Sequence, residues 1–239
     1  MLIKCERHTE KDLEIWKDYE EIDSINIEKI TDEKIDKAIA IIKDTCKEKS
    51  YVSTSWGKDS VTTLHLCYLA GMKIPAVWIK EKPMHNPYCE TVRDRFLEEY
   101  DFQYHEIVVD YGRAGFAPFL DKNGDSILFH SIADSLVKPF GRRITGIRNE
   151  EANKRLLRYL HYGEITKNTS APISLWKNQE VFAYLKKFDL PVHPNYAMLG
   201  GGRWKREHVR VDCLDGTQGN GIGRSEWEKE YYRDILNRL

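Results

Sequence analysis

The stretch Ser53-Thr54-Ser55-Trp56-Gly57-Lys58-Asp59-Ser60 lies between a strand-like run, Tyr51 to Ser55, and a helix-like run, Val61 to Ala70. A turn of small residues that leaves a strand and opens a helix aims backbone N–H groups outward. Those donors and the positive end of the helix dipole form an anion site. Lys58 adds a point charge, Asp59 can hold a hydrated Mg²⁺, and Ser60 can cap the helix. The stretch therefore predicts a phosphate-binding loop; the alternative interpretation is an ordinary turn with a surface lysine.

The length of the chain fits one α/β domain, possibly with a helical appendage. The chain has 239 residues, of which 41% are hydrophobic and 31% are charged, and its net charge is −1. This charge creates no global field that would indicate nucleic acid as a partner. No apolar run approaches the roughly 20 residues of a membrane span, and the chain is charged from Lys4 onward. We therefore expect no membrane association and a cytoplasmic location.

The cysteines do not form a framework. There are five, and no two are spaced as C-x-x-C: Cys5, Cys46, Cys67, Cys89 and Cys213. This pattern argues against structural disulfides and against a four-cysteine zinc or iron–sulfur site. Cys5 and His8 have a ligand-like spacing, but two ligands alone are a weak metal signal.

Strand-like and helix-like segments alternate along the chain. The predicted strands are Tyr51–Ser55, Ile74–Ile79, Tyr104–Val109 and Arg142–Ile147. The predicted helices span about 11–21, 32–46, 60–70, 87–100, 126–137, 149–161, 178–188 and 225–238. This alternation predicts an α/β, Rossmann-like (HUP-type) fold with a mostly parallel sheet and helices on both faces. Such sheets bind ligands at the carboxyl ends of their strands, where the loop after the first strand lies.

Three segments are predicted: a helical N-terminal segment over 1–48, a nucleotide-binding α/β domain over 49–200, and a glycine-rich loop with a C-terminal helix over 201–239. Residues 195–224 contain seven glycines. Long loops inside a compact domain tend to be functional or disordered, so this segment predicts a mobile lid.

A basic cluster follows the fourth predicted strand. Its members are Arg142, Arg143, Arg148, Lys154, Arg155 and Arg158. Arg148 and Arg155 are seven residues apart and share one face if Arg148 starts a helix. Guanidinium groups suit phosphate or sulfate oxygens. The alternative interpretation is a solvated face that Glu150 and Glu151 neutralise.

Four motifs in the correct order resemble one family. The octapeptide resembles the S-x-S-G-G-K-D-S loop of the PP-loop ATP pyrophosphatases, the adenine nucleotide α-hydrolases, with Trp56 in place of the first glycine. Residues 146–155, GIRNEEANKR, resemble the G-x-R-x-x-E-x-x-x-R block of the PAPS reductase/ATP sulfurylase branch. Residues 171–181, APISLWKNQEV, and 190–196, LPVHPNY, resemble its next two blocks. The resemblance covers about residues 50–200.

The resemblance implies an adenine nucleotide such as ATP, with Mg²⁺, and a set of site residues. Catalytic roles fall to Lys58, Asp59, Arg148 and Arg155, and Asp59 is also the implied metal ligand. Nucleotide contacts fall to Ser53, Ser55, Trp56, Gly57, Lys58, Asp59, Ser60, Gly146 and Arg148, with Trp78 and Ile79 against the adenine. Because the loop keeps its Lys-Asp-Ser run, it looks like the loop of enzymes that cleave ATP between its α and β phosphates.

The chain departs from the sulfonucleotide reductases of that branch. It has no E-C-G-[IL]-H tail and no cysteine quartet. The function expected is adenylyl transfer from ATP to a small-molecule acceptor, sulfate-like, carboxylate or nucleobase, with release of pyrophosphate. One alternative is a PAPS reductase that uses Cys213 as its nucleophile, near Arg210. Another is a non-catalytic nucleotide-sensing module. A protein partner and a homo-oligomer stay open.

Overall fold

The computed structural model of the protein describes residues 1–82, 84–110, 119–120, 126–127, 134–211, 213–214 and 224–238. Its strands are β1 (Ser50–Thr54), β2 (Ala76–Lys82), β3 (Tyr104–Asp110), β4 (Phe119–Leu120), β5 (Ser126–Ile127), β6 (Arg142–Ile144) and β7 (Thr169–Ser170). Five of them form a sheet in the order β3-β2-β1-β6-β7, and every pairing in it is parallel. The α/β, Rossmann-like fold is confirmed.

The α-helices surround this sheet. They are α1 (Glu10–Asn26), α2 (Asp32–Thr45), α3 (Lys58–Leu69), α4 (Tyr88–Leu97), α5 (Asn153–Tyr162), α6 (Asn178–Lys187), α7 (Arg224–Tyr231) and α8 (Arg233–Leu236). In the described part of the chain, none of them combines the length and the apolar character that a bilayer span requires.

The central strand explains the two layers of the core. Val52 of β1 lies between Ala76 of β2 and Ile144 of β6, and all three are fully buried on the face that carries the main hydrophobic cluster. Neighbouring strand positions point to the opposite face, as the period of two requires. There Tyr51 and Val77 pack with a smaller cluster of Ile79, Ile107, Val137 and Phe140.

Strand order creates a crevice beside β1. The chain runs outward from β1 to β2 and β3, then returns to place β6 on the other side of β1. Connections therefore diverge between β1 and β6, which is where open parallel sheets bind their ligands. The loop after β1 and the segment after β6, residues 145–148, meet at this point.

The helix predicted over 149–161 is interrupted. Residues Asn149–Glu151 form a 3₁₀ turn, Ala152 is extended, and α5 begins only at Asn153. The reason is that the Asn149 N–H donates to the Ser174 carbonyl while Glu150 and Glu151 turn back to Arg148. Arg148 therefore precedes the helix and does not share a helical face with Arg155. The fourth predicted strand is also shorter, because β6 ends at Ile144.

Helix α5 is amphipathic yet packs little. Its ten residues are all described and none is buried. Leu157, Leu160 and Tyr162 expose 66%, 70% and 61% of their surface, and Leu156 is also exposed. The helix nevertheless carries Arg155 to the edge of the crevice.

The glycine-rich segment is better fixed than the sequence predicts. Over 195–211 it is packed, with 3₁₀ turns at Pro194–Ala197 and Gly200–Gly202, so this part is not a mobile loop. The buried carboxylate of Asp12 in α1 accepts hydrogen bonds from the N–H groups of Leu199 and Gly201. The three glycines at 200–202 have positive φ, which suits them to this tight turn. Residues 215–223, with the other four glycines, lie outside the described residues.

The predicted helix over 126–137 is wrong at its start. Ser126–Ile127 is strand β5, which pairs antiparallel with β4. Residues 134–137 are helical, and 128–133 lie outside the described residues.

A buried ion pair attaches the segment after the glycines to α1. Both terminal nitrogens of Arg206 donate to Asp23, at 2.6 and 2.5 Å, and the guanidinium lies 3.9 Å from the Phe182 ring centroid. Arg206→Met should lower the free energy of unfolding by about 3–5 kcal/mol, because it leaves a buried carboxylate unpaired. Urea denaturation measures this. The matched control is Arg203→Met, which removes an exposed pair with Glu226 and should cost less than about 1 kcal/mol. Equal losses in the two variants would contradict the role given to Arg206.

His65 is a second test of the core. It lies in α3, and its Nδ1 atom shares a hydrogen bond of 2.7 Å with the Tyr184 hydroxyl. Burial lowers the pKa of His65 to about 4. The unfolded chain, with a pKa of about 6.5, therefore binds more protons than the native state between these values, so stability falls on acidification. Because of His65, the free energy of unfolding should fall by about 2 kcal/mol between pH 7.5 and pH 5. His65→Gln should remove that part of the pH dependence in thermal unfolding curves; an unchanged slope would contradict it.

Candidate functional site

The loop after β1 opens α3 directly. Gly57 is the N-cap, with φ −81° and ψ 169°, and the helix begins at Lys58. This is two residues earlier than predicted, and Ser60 is not the cap: its hydroxyl donates to the Gly57 carbonyl at 2.9 Å. The first-turn N–H groups of the helix thus lie at the carboxyl edge of the sheet, as an anion site requires.

Trp56 turns away from the crevice. Its φ is +62°, in the left-handed region that favours glycine, and its side chain is fully buried. The indole packs against Tyr104 and Phe96, with ring centroids 5.7 and 6.3 Å apart. Trp56 therefore anchors the loop into the core beneath the site, and its ring does not line the cavity above it.

A cavity of about 280 Å³ lies over the loop. Eight of the residues predicted from the sequence line it: Ser53, Ser55, Gly57, Lys58, Asp59, Ser60, Gly146 and Arg155. Ile147, Glu151, Tyr196, Val209, Arg210 and Val211 complete much of the rest. The structure thus brings together the loop, the segment after β6, α5 and the segment after the glycines.

Three charged groups are linked at the centre. The two Asp59 oxygens accept from Lys58 Nζ and from Arg148 Nε, each at 2.6 Å. Arg148 is 3% exposed and also donates to Glu150, to Glu151 and to the side-chain amide oxygen of Asn178. Burial opposes ionisation of Asp59, but Lys58 and Arg148 outweigh it and hold its pKa below the usual value. The loop after β1 is therefore tied to the segment after β6 by charge-assisted hydrogen bonds.

The ion pairs of Asp59 decide whether its carboxylate can coordinate Mg²⁺ directly. The predicted ligand, Asp59, has both oxygens engaged by cations, and Glu151 pairs with Arg148 and Arg155. In the described part of the chain, no three His, Cys, Asp or Glu side chains are grouped as a metal site. Asp59 as placed does not fit direct coordination of a metal, and Cys5 and His8 are not joined by a third ligand there.

Gly146 is required by close packing. A Cβ at this position would lie 2.6 Å from the Asp59 carbonyl oxygen, which is backbone and cannot move aside. The glycine thus allows the segment after β6 to approach the first turn of α3, which is its role in shaping the cavity.

Four other predicted residues lie elsewhere. Trp78 is buried in the main core, and Ile79 packs on the opposite face of the sheet, so neither lines the cavity over the loop. Arg148 lies beneath it and lines an adjoining cavity instead. Cys213 donates to the Glu81 carboxylate at 2.9 Å, at the end of β2, and lines neither cavity.

Two contributors were not predicted as site residues. The Tyr196 hydroxyl accepts from the Lys58 N–H at 3.1 Å and lies against Gly57, and Lys58 Nζ is 5.5 Å from the Tyr196 ring centroid. Its place in the LPVHPNY block was the available signal. Arg210 lines the cavity because contacts distant in sequence hold its segment, from Asp12 and Asp23 in α1 and from Arg224, and no local pattern indicates that.

The chain was compared with family models, curated proteins and solved structures, and only the solved structures include similar proteins. A scan against family models and a search of curated proteins found no match. Among solved structures, the chain is similar to phosphoadenylyl-sulfate (PAPS) reductase from Candida auris in a phosphate complex, at 16% identity, covering 77% of this chain and 96% of that one with a TM-score of 0.49. It is also similar to NH₃-dependent NAD synthetase from Campylobacter jejuni, at 19% identity, 70% and 76% coverage and a TM-score of 0.47. A third similar structure is NMN synthetase from Francisella tularensis, at 14% identity, covering 87% of this chain and 95% of that one with a TM-score of 0.48.

Substitutions of Trp56 compare the cost of its positive φ with the stabilisation that its buried indole provides. Trp56→Gly restores a residue that tolerates positive φ, which is worth about 1 kcal/mol, but it empties a buried site whose loss costs about 3–5 kcal/mol. We expect a net loss of unfolding free energy in denaturant titrations. Trp56→Phe keeps the backbone strain and most of the packing and should lose less. A glycine variant as stable as the wild type would contradict the anchoring role.

Proposed function

We propose that the protein is a PP-loop enzyme that binds ATP and transfers its adenylyl group to a small-molecule acceptor, releasing pyrophosphate. The observation that carries this proposal is the cavity over Gly57–Ser60, where a helix N-terminus and the cations Lys58, Arg155 and Arg210 converge at the switch point of a parallel sheet. This is a site for a polyanion with more than one phosphate.

In the proposed arrangement the β and γ phosphates lie against the loop. Ser53, Ser55 and the first-turn N–H groups of α3 offer hydrogen bonds, while Lys58 and Arg155 face the cavity. Asp59 and Arg148 act as positioning residues, because their mutual hydrogen bond holds Lys58 and the loop in place. The adenine would extend from this cavity toward the carboxyl end of β2 at Lys82; Trp78 and Ile79, the predicted adenine contacts, lie within the strand and do not line the cavity.

The reaction proceeds by displacement at the α-phosphorus. An acceptor oxygen forms a bond to that phosphorus, the bond to the bridging oxygen of the β-phosphate breaks, and the electron pair leaves with pyrophosphate. Negative charge grows on the leaving group, so fixed cations stabilise the transition state more than the bound substrate. Lys58 and Arg155 supply that charge. No step is assigned to Mg²⁺.

The proposed setting follows from the sequence. The proposed location is the cytoplasm, which the free cysteines favour, and the small-molecule acceptor is the proposed partner in the reaction.

The loop assignment is tested with Lys58→Ala. Calorimetry with MgCl₂ present should show ATP binding in preference to GTP, and the variant should lose about 1.5–3 kcal/mol of binding free energy, typical of a charge-assisted contact. Lys43→Ala, an exposed lysine on α2, is the control and should bind like the wild type. Unchanged affinity in Lys58→Ala, with an unchanged melting temperature, would contradict the assignment.

The wild type and the variant Cys213→Ser separate adenylyl transfer from the two alternative functions. Pyrophosphate release with an acceptor present should survive Cys213→Ser, because Cys213 lies outside both cavities. Sulfite formation from a sulfonucleotide and a dithiol that vanishes in Cys213→Ser would identify a reductase instead. ATP binding without pyrophosphate release for any acceptor would identify a nucleotide-sensing module.

A further inference from the structure

A second cavity adjoins the one over the loop. It has a volume of about 530 Å³ and shares Lys58, Glu151, Val209 and Arg210 with its neighbour. The remaining lining comes from Arg148, Glu150, Asn178, Arg203, Trp204, Lys205, Glu207 and His208. Because the two cavities meet at Lys58 and Arg210, a molecule in the second would reach the phosphate chain of one in the first.

Asn178 brings an unused donor to this cavity. Its side chain lies at the N-terminus of α6 and is 5% exposed. The amide oxygen accepts from Arg148, and a guanidinium can only donate, so the orientation of the amide is fixed. The Nδ2 group then has no hydrogen-bond partner. A buried N–H₂ without a partner is costly and calls for an acceptor atom from a ligand.

The cations around the cavity divide into two groups. Lys58, Arg148 and Arg203 are paired with carboxylates. The side chains of Lys205 and Arg210 take part in no hydrogen bond or ion pair within the residues that the structure describes. Two solvent-exposed cations without an ion-pair partner among the described residues thus line the same cavity as an unsatisfied amide donor, a combination that suits an anionic group.

We propose that this cavity binds the acceptor of the adenylyl group, and that the acceptor is an organic carboxylate; the inference rests on the proposed function. A planar carboxylate matches the fork of Arg210 and the Asn178 amide. A neutral nucleobase would leave Lys205 and Arg210 unpaired. The volume exceeds what a lone sulfate needs and lies within the range of organic ligand sites. Trp204 and Val209 supply apolar surface for the rest of such a molecule.

The step balances without a redox partner. One carboxylate oxygen forms a bond to the α-phosphorus of ATP, and the bond from that phosphorus to the bridging oxygen of the β-phosphate breaks. The electron pair leaves on pyrophosphate, and the other product is an acyl adenylate, a mixed anhydride. No proton is transferred, because the carboxylate is already ionised at neutral pH.

Trapping with hydroxylamine tests the acceptor class. The wild-type protein is incubated with ATP, MgCl₂ and hydroxylamine plus one probe at a time: benzoate, nicotinate, or each of the common amino acids. An acyl adenylate reacts with hydroxylamine to give a hydroxamate. A parallel arm uses molybdate, a sulfate analogue, and measures pyrophosphate alone. We expect hydroxamate with at least one carboxylate and no pyrophosphate release with molybdate.

Variants then assign the two cavities separately. Lys205→Met changes a residue that lines only the second cavity, so it should raise the KM for the carboxylate by roughly 10- to 100-fold and leave the KM for ATP within about twofold. Ser55→Ala changes only the first and should raise the KM for ATP instead. Lys43→Met, exposed on α2, is the matched control and should alter neither.

Each outcome decides between the two proposals. Pyrophosphate release with molybdate but no hydroxamate from any carboxylate probe would overturn the acceptor assignment and leave adenylyl transfer standing. Hydroxamate formation with an unchanged carboxylate KM in Lys205→Met would move the acceptor out of the second cavity and would also overturn the inference. Failure of the wild-type protein to bind ATP would refute the proposed function itself.

Discussion

The carboxylate of Asp59, held between Lys58 and Arg148, is the contact on which the site depends. One oxygen accepts from each cation at 2.6 Å, which joins the first turn of α3 to the segment after β6. Gly146 permits the same approach at the level of the backbone. Removing the carboxylate would leave a buried guanidinium and a buried ammonium facing each other, which is far more costly than losing a surface pair. The crevice between β1 and β6 keeps its shape for this reason.

Charge around this contact is arranged in layers. Arg148 is surrounded by Asp59, Glu150 and Glu151, so it is neutralised and buried. Lys58, Arg155 and Arg210 line the cavity over the loop, and Arg210 has no ion-pair partner among the described residues. A polyanion would therefore enter a cavity in which Arg148, Lys58 and Arg155 are already held by ion pairs with Asp59 and Glu151. Such preorganisation limits the rearrangement needed during the reaction.

The sequence allowed the parallel sheet and the loop to be predicted, because both depend on local signals. Alternating strand and helix patterns located β1, β2 and β3, and the Gly-Lys-Asp-Ser run located the turn into α3, with its start misplaced by two residues. What failed depended on tertiary contacts. The break at Ala152 follows from Glu150 and Glu151 turning to Arg148, and the burial of Trp56 follows from a pocket formed by Phe96 and Tyr104. Arg210 carried no signal because α1, far away in sequence, positions it.

The tie between Asp12 and the glycine turn also has a consequence for synthesis of the chain. Its carboxylate joins residues 187 positions apart, and Asp23 meets Arg206 across 183 positions. Helix α1 leaves the ribosome before residues 199–206, so Asp12 and Asp23 lack these partners until that segment has emerged. Contacts of such long range slow folding. During this interval the nascent protein is exposed to misassembly, and chaperones would have their strongest effect on its yield.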